Sequence, residues 1–164
     1  MDNDVSHVSL KLVLVGDSGV GKSSLVARYN TGVMPESISP TVGAGYLSKI
    51  YSYQETEIEL RIWDTAGQET YQSLTPIYFK NSAIALVVFD ISRKSSFLNV
   101  PKWIEQFKEY AESNTLVVLV ANKVDLESNR EVSLAEYTEF ATQNNLILTE
   151  VSAKTGHNVN YLIE

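Results

Sequence analysis

The sequence predicts an α/β domain built on a mostly parallel sheet with one antiparallel strand pair, and three observations carry that prediction. Short apolar runs at 10–15 (LKLVLV), 83–89, 116–121 and 145–151 have the length and composition of strands covered on both faces. Stretches with helical spacing lie between them, at 22–30, 95–111 and 133–142. Two partly alternating segments, 43–53 and 55–63, meet around the sequence YQET and read as a hairpin. Regular alternation of strand and helix implies parallel strands, because each helical crossover must cover a face of the sheet.

Each element follows from its own residues. The run at 10–15 leads straight into glycines and then into 22–30, giving strand, loop and helix. The hairpin ends at Trp63-Asp64-Thr65-Ala66-Gly67. After the run at 83–89, the stretch 95–111 sets Phe97, Trp103, Ile104 and Phe107 on roughly one stripe. The helix at 133–142 opens with Ser133 as N-cap and Glu136 three residues on, the capping-box spacing. A last helical pattern begins near His157 and stops at Glu164, only about two turns of 3.6 residues. The expected organisation is a flexible N-terminal extension at 1–8 and one domain at 9–164, cut short in its last helix.

Composition narrows the function classes. A chain of 164 residues with 44% hydrophobic and 20% charged residues fits one folded domain. A net charge of −7 opposes the broad basic footprint that nucleic-acid binding needs, so any anionic ligand must be held by local geometry. Cysteine is absent, which excludes disulfides, thiolate metal sites and a Cys nucleophile. The N-terminal MDNDVSHVS is acidic and polar where a secretory signal is basic and then apolar, and no apolar run could span a bilayer. The chain reads as soluble and cytoplasmic, and a lipidated tail that would anchor it is absent from these residues.

Gly16-Asp17-Ser18-Gly19-Val20-Gly21-Lys22-Ser23 matches G-x-x-x-x-G-K-[ST] between a predicted strand and a predicted helix. Glycines let backbone N–H groups turn inward on phosphates, Lys22 offers a point charge to the β/γ oxygens, and Ser23 offers a hydroxyl to Mg²⁺, with Ser24 next in line. The loop alone names neither base nor reaction.

Asn122-Lys123-Val124-Asp125 follows the strand at 116–121, at a carboxyl end of the sheet where ligands of open α/β folds bind. A carboxylate such as Asp125 accepts from guanine's ring N–H and exocyclic amine, whereas adenine presents an acceptor there, so guanine is favoured. Ser152-Ala153-Lys154, after the last strand, is placed to give a backbone N–H to the guanine carbonyl.

Asp64 ends the hairpin, within reach of Mg²⁺ through water, and Gly67 leaves room for a γ-phosphate. Gln68 then stands where an amide can orient the attacking water. Thr41 lies in a polar, Pro-containing connection; if its hydroxyl ligates Mg²⁺ and its N–H meets the γ-phosphate, loss of that phosphate releases both contacts. His7 and His157 have no partner pattern for a metal or a triad, and Trp63, Phe79 and Phe89 read as core.

Taken in order, GDSGVGKS, Thr41, WDTAGQE, NKVD and SAK closely resemble the Ras-like small GTPases from about Leu10 to the end of the chain. IWDTAGQE, YQSLTPIYFKNSA and DISRKSSF are similar to segments of the Rab family, nearest its endosomal members. The resemblance implies a P-loop G domain with a six-stranded mixed sheet, GTP/GDP and Mg²⁺ binding, and slow GTP hydrolysis in which Gln68, Lys22 and Thr41 act. It also implies exchange factors, activating proteins, and effectors that dock near Thr41 and over 68–79, with membrane attachment, endosomal or vesicular, only through a lipidated tail. Three departures stand out. Met34 replaces the aromatic ring usually laid against the guanine edge, VGAGY follows Thr41, and Thr70 replaces an arginine common after QE. A hydrolysing switch is the leading expectation, with a non-cycling GTP-binding scaffold and a P-loop ATPase or kinase as competitors.

Overall fold

The computed structural model describes residues 6–17, 19–22, 24, 25, 28, 45–64, 81–111, 115–152, 154, 155, 157 and 158. Strand β1 (Ser6–Val15) is flanked by β3 (Thr56–Asp64) and β4 (Ile84–Asp90). Outside β3 lies β2 (Gly45–Tyr53); outside β4 lie β5 (Leu116–Asn122) and then β6 (Ile147–Glu150). All neighbours run parallel except β2 against β3. The α/β class read from the sequence is the class observed.

Strand burial explains the apolar runs. In β4 every residue from Ala85 to Asp90 is buried, and in β5 every residue after Leu116, as both faces are covered. Odd positions Val13, Val15, Val87, Phe89 and Leu119 join Trp103, Phe107 and Tyr137 in one core layer. Even positions Leu12, Leu14, Leu86, Val88 and Val120 join Val20 and Leu25 in the other. Phe89 anchors an aromatic cluster, its ring centroid 5.1 Å from Phe97 and 5.5 Å from Tyr137.

Strand β1 starts earlier than its apolar run. Ser6 to Ser9 are exposed, yet they continue the ladder with Thr56 to Glu59, so residues 6–8 are strand and the expected extension at 1–8 is corrected there. Backbone pairing satisfies N–H and C=O groups whatever the side chain, which is why periodicity missed it. His7 lies opposite Glu57 in the register, with its Nδ1 2.9 Å from the carboxylate.

The helix expected over 95–111 is two helices, α1 (Lys94–Leu98) and α2 (Val100–Tyr110), meeting at Asn99. Pro101 in the first turn of α2 cannot donate to the carbonyl four residues back and its ring crowds that carbonyl, so the first helix must end. Helix α3 (Leu134–Gln143) begins with the full capping box: Glu136 N–H donates to Ser133 Oγ, and Ser133 N–H donates to the Glu136 carboxylate.

That cap has a pH signature. The Ser133 backbone N–H, followed by the Lys94 ammonium, holds the Glu136 carboxyl at about 2, below its ordinary 4.5. Because the folded value is depressed, the contribution is complete above about 4.5 and is lost as pH falls toward 2. Glu136→Gln is expected to flatten the acid limb of the stability curve in that window. Ser133→Ala is expected to cost about 1 kcal/mol at neutral pH in urea unfolding.

Candidate functional site

Parallel pairing brings the carboxyl ends of β1, β4, β5 and β6 to one edge of the sheet, and the loops leaving them are fastened to one another. After Val15 the chain turns at Gly16, whose φ is +146°; a Cβ there would lie 2.2 Å from the Val88 carbonyl oxygen of the next strand. Only glycine lets the loop leave β1 so close to β4. Lys22 is buried at 5% exposure, and its ammonium donates to the carbonyl oxygens of Gly16 (2.9 Å) and Asp17 (2.8 Å). The loop is therefore wrapped around its own cation. Gly21, at φ +101°, opens the following helix, where Leu25 N–H donates to the Gly21 carbonyl at 2.9 Å.

The loop after β5 is tied to this one by two side chains. Asn122, 1% exposed, donates from Nδ2 to the Val20 carbonyl at 2.7 Å, while its Oδ1 is buried without a hydrogen-bond partner. A Cβ on Gly21 would sit 2.3 Å from that Nδ2, so the approach needs a glycine. Lys123, in the left-handed region at φ +64°, donates to the Gly19 carbonyl (2.9 Å) and pairs with Asp90 Oδ2 (2.9 Å). Asp90 is the register partner of Asn122 and is almost wholly buried; its Oδ1 also accepts from Ser92 N–H (2.8 Å) and Ser92 Oγ (2.6 Å).

The loop after β6 supports Asp125. Ser152, fully buried, donates its hydroxyl to Asp125 Oδ1 at 2.7 Å and accepts from Thr155 N–H at 3.1 Å. Arg28, from the helix after the first loop, donates to the carbonyls of Lys154 (3.5 Å) and Thr155 (3.2 Å). Behind Asp125 a 3-10 turn (Val124–Asn129) is fixed by Arg130, which contacts Glu127 at 2.7 Å and the Tyr137 hydroxyl at 3.1 Å. Glu127 and the Tyr137 hydroxyl hold that guanidinium in its charged form; burial, then the hydrogen-bonded Glu150, pushes the Tyr137 hydroxyl above its ordinary value.

Of the residues singled out from sequence, the structure brings together Asp17, Gly19, Val20, Gly21, Lys22, Ser24, Asn122, Lys123, Asp125, Ser152 and Lys154. Asp64 is the last residue of β3, opposite Leu14 of β1 and hence at the same edge. Ser18, Ser23, Met34, Thr41, Gly67, Gln68 and Ala153 lie outside the described residues, as do Thr70, Phe79 and residues 42–44. No group of three or more metal-ligating side chains occurs among the described residues, and none of their helices is long and apolar enough to cross a membrane.

Sequence reasoning missed four participants. Asp90 and Ser92 form an Asx turn whose D-x-S signature was legible at a strand end. Asn99 and Trp103 both donate to the Asp17 carboxylate, at 2.7 and 2.8 Å. Trp103, which the sequence sets on the apolar stripe of 95–111, belongs to the core as well.

The sequence profile of the Ras family matches residues 11–164. The chain is 40% identical over 162 residues to the Ras-related protein Rab-5A of Dictyostelium discoideum, covering 99% of this chain and 81% of that protein. It is 41% identical over 155 residues to the Ras-related protein RHN1 of Nicotiana plumbaginifolia, covering 94% and 78%. With the Ras-related protein Rab5A of Oryza sativa subsp. japonica it shares 42% over 150 residues, covering 92% and 74%.

Gly21→Ala tests the close approach of the two loops. The strained φ and displaced Asn122 amide are expected to cost about 1–3 kcal/mol in thermal melting. Titration with a fluorescent guanine nucleotide is expected to show an affinity loss larger than that stability cost alone explains.

Proposed function

Because the chain belongs to the Ras family of small GTPases and, within it, to the Rab proteins of the endosomal Rab5 type, we propose that the linked loops at the carboxyl edge are its guanine-nucleotide site. The protein is a GTP-hydrolysing switch of vesicle traffic. The observation that carries the site assignment is the fastening of 16–22 to 122–125 through Asn122 and Lys123.

The residues fit the ligand. Three glycines of the loop have positive φ, a Cβ at position 21 would strike the Asn122 amide that closes against it, and the buried Lys22 brings its charge to the loop's own carbonyls. In this reading backbone N–H groups of residues 18–23 and Lys22 hold the phosphates, while Asp125, oriented by Ser152, accepts from the guanine N–H groups. Met34 covers the base edge and the Ala153 N–H meets the guanine carbonyl oxygen. Ser23, Thr41 and, through water, Asp64 would hold Mg²⁺. When bound, that ion neutralises charge on the β- and γ-phosphate oxygens.

Gln68 positions a water so that its oxygen bonds to the γ-phosphorus as the bond to the β–γ bridging oxygen breaks, leaving GDP and phosphate. Loss of the γ-phosphate frees the segments around Thr41 and 68–79, and these are the proposed docking surfaces for effectors, exchange factors and activating proteins. Residence on endosomal membranes would require a lipidated tail.

Single-turnover GTP hydrolysis after stripping and reloading tests the reading. Slow turnover abolished by Gln68→Leu, with no displacement by ATP, is the expected result; tight binding without turnover would contradict the role of Gln68. Asp125→Asn is expected to lower GTP affinity by at least about tenfold and to favour xanthosine triphosphate, whose second ring carbonyl matches an amide donor.

A further inference from the structure

Asp17 places a carboxylate inside a loop that must bind a polyanion. The backbone carbonyl of the same residue accepts from the Lys22 ammonium at 2.8 Å, so any shift of Asp17 moves the cation as well. The carboxylate is held on both oxygens: Asn99 Nδ2 donates to Oδ2 at 2.7 Å and Trp103 Nε1 donates to Oδ1 at 2.8 Å.

These donors are one helical turn apart. Asn99 caps α2, and Trp103 N–H donates to the Asn99 carbonyl at 3.2 Å, so both side chains rise from the same face of the same helix. Trp103 is 5% exposed and belongs to the core layer with Phe107 and Phe89, which makes α2 a rigid support. A buried indole N–H needs an acceptor, and an ionised one makes the stronger bond.

We propose that Asp17 is a positioning residue for nucleotide retention: clamped by Asn99 and Trp103, its carboxylate anchors the phosphate loop to helix α2 and is kept from acting as an unpaired negative charge beside the phosphates. The inference rests on the guanine-nucleotide reading of the loop. Two effects follow from releasing the clamp. The loop, and Lys22 with it, loses its anchor, and a carboxylate left without donors repels the polyphosphate. Removing the donors is therefore worse for retention than removing the carboxylate.

The test is the rate of release of fluorescent GDP from the whole chain with Mg²⁺ present, in wild type, Asp17→Ala, Asn99→Ala/Trp103→Phe and the triple variant, beside thermal melting of each. The donor-free double variant is expected to release GDP roughly tenfold faster than wild type. Asp17→Ala alone is expected to release more slowly than the double variant, and adding it to the double variant is expected to remove most of the acceleration. If Trp103 acts only by packing, the acceleration persists undiminished in the triple variant; that result, or unchanged release in the double variant, overturns the proposal. If the double variant does not fold, Asn99→Ala with and without Asp17→Ala carries the same test, since Asn99 is exposed and its loss leaves the core intact. Failure of wild type to bind fluorescent GDP at all would instead sink the guanine-nucleotide reading on which the proposal stands.

Discussion

One buried hydrogen bond organises the site: the Asn122 side-chain amide donating to the Val20 carbonyl at 2.7 Å. Asn122 ends β5 and Val20 follows β1, and β4 lies between them in the sheet, so the bond crosses over the end of an intervening strand. For that crossing to exist, β4 must stop at Asp90, the loop from β1 must turn sharply at Gly16, and Gly21 must lack a Cβ that would strike the amide. The Val20 carbonyl can only accept, so the NH2 end of the Asn122 amide must face it, and the bond ties the loop to the end of β5.

The same constraint explains how an acidic protein holds an anion. Neither lysine of the site depends on a basic surface: Lys22 is held by the carbonyls of its own loop, and Lys123 by the Gly19 carbonyl and the buried Asp90 carboxylate. Asp90 is satisfied as well by two donors from Ser92, which a buried charge requires. A charge pair of this kind adds little to stability and much to placement. The net charge of −7 is thus compatible with a local cationic cradle set by backbone geometry rather than by charge count.

Much of this was legible in the chain. The buried runs of β4 and β5, the capping box at Ser133 and the glycine-lysine loop each carry a local signal that the fold preserves. The first residues of β1 were not legible, because pairing with β3 is a property of the backbone and their side chains are exposed. The break at Asn99 depends on Pro101 overriding an otherwise continuous stripe. Placement at the linked loops was legible where residue type and spacing encode it, as at Lys22, Asn122 and Asp125. Asn99 and Trp103 were hidden because their contact with Asp17 joins positions more than eighty residues apart, and Trp103 carries an apolar role that accounts for it equally well.

In the proposed nucleotide site, Asn122 sets the loop at 16–22 and does not serve the base alone. Competition by inorganic pyrophosphate, which has no base, against fluorescent GDP in wild type and Asn122→Ala tests this directly. If Asn122 fixes the loop, its removal weakens pyrophosphate as well as GDP, each by roughly tenfold or more. Pyrophosphate affinity unchanged while GDP affinity falls would contradict the claim and confine Asn122 to the guanine ring.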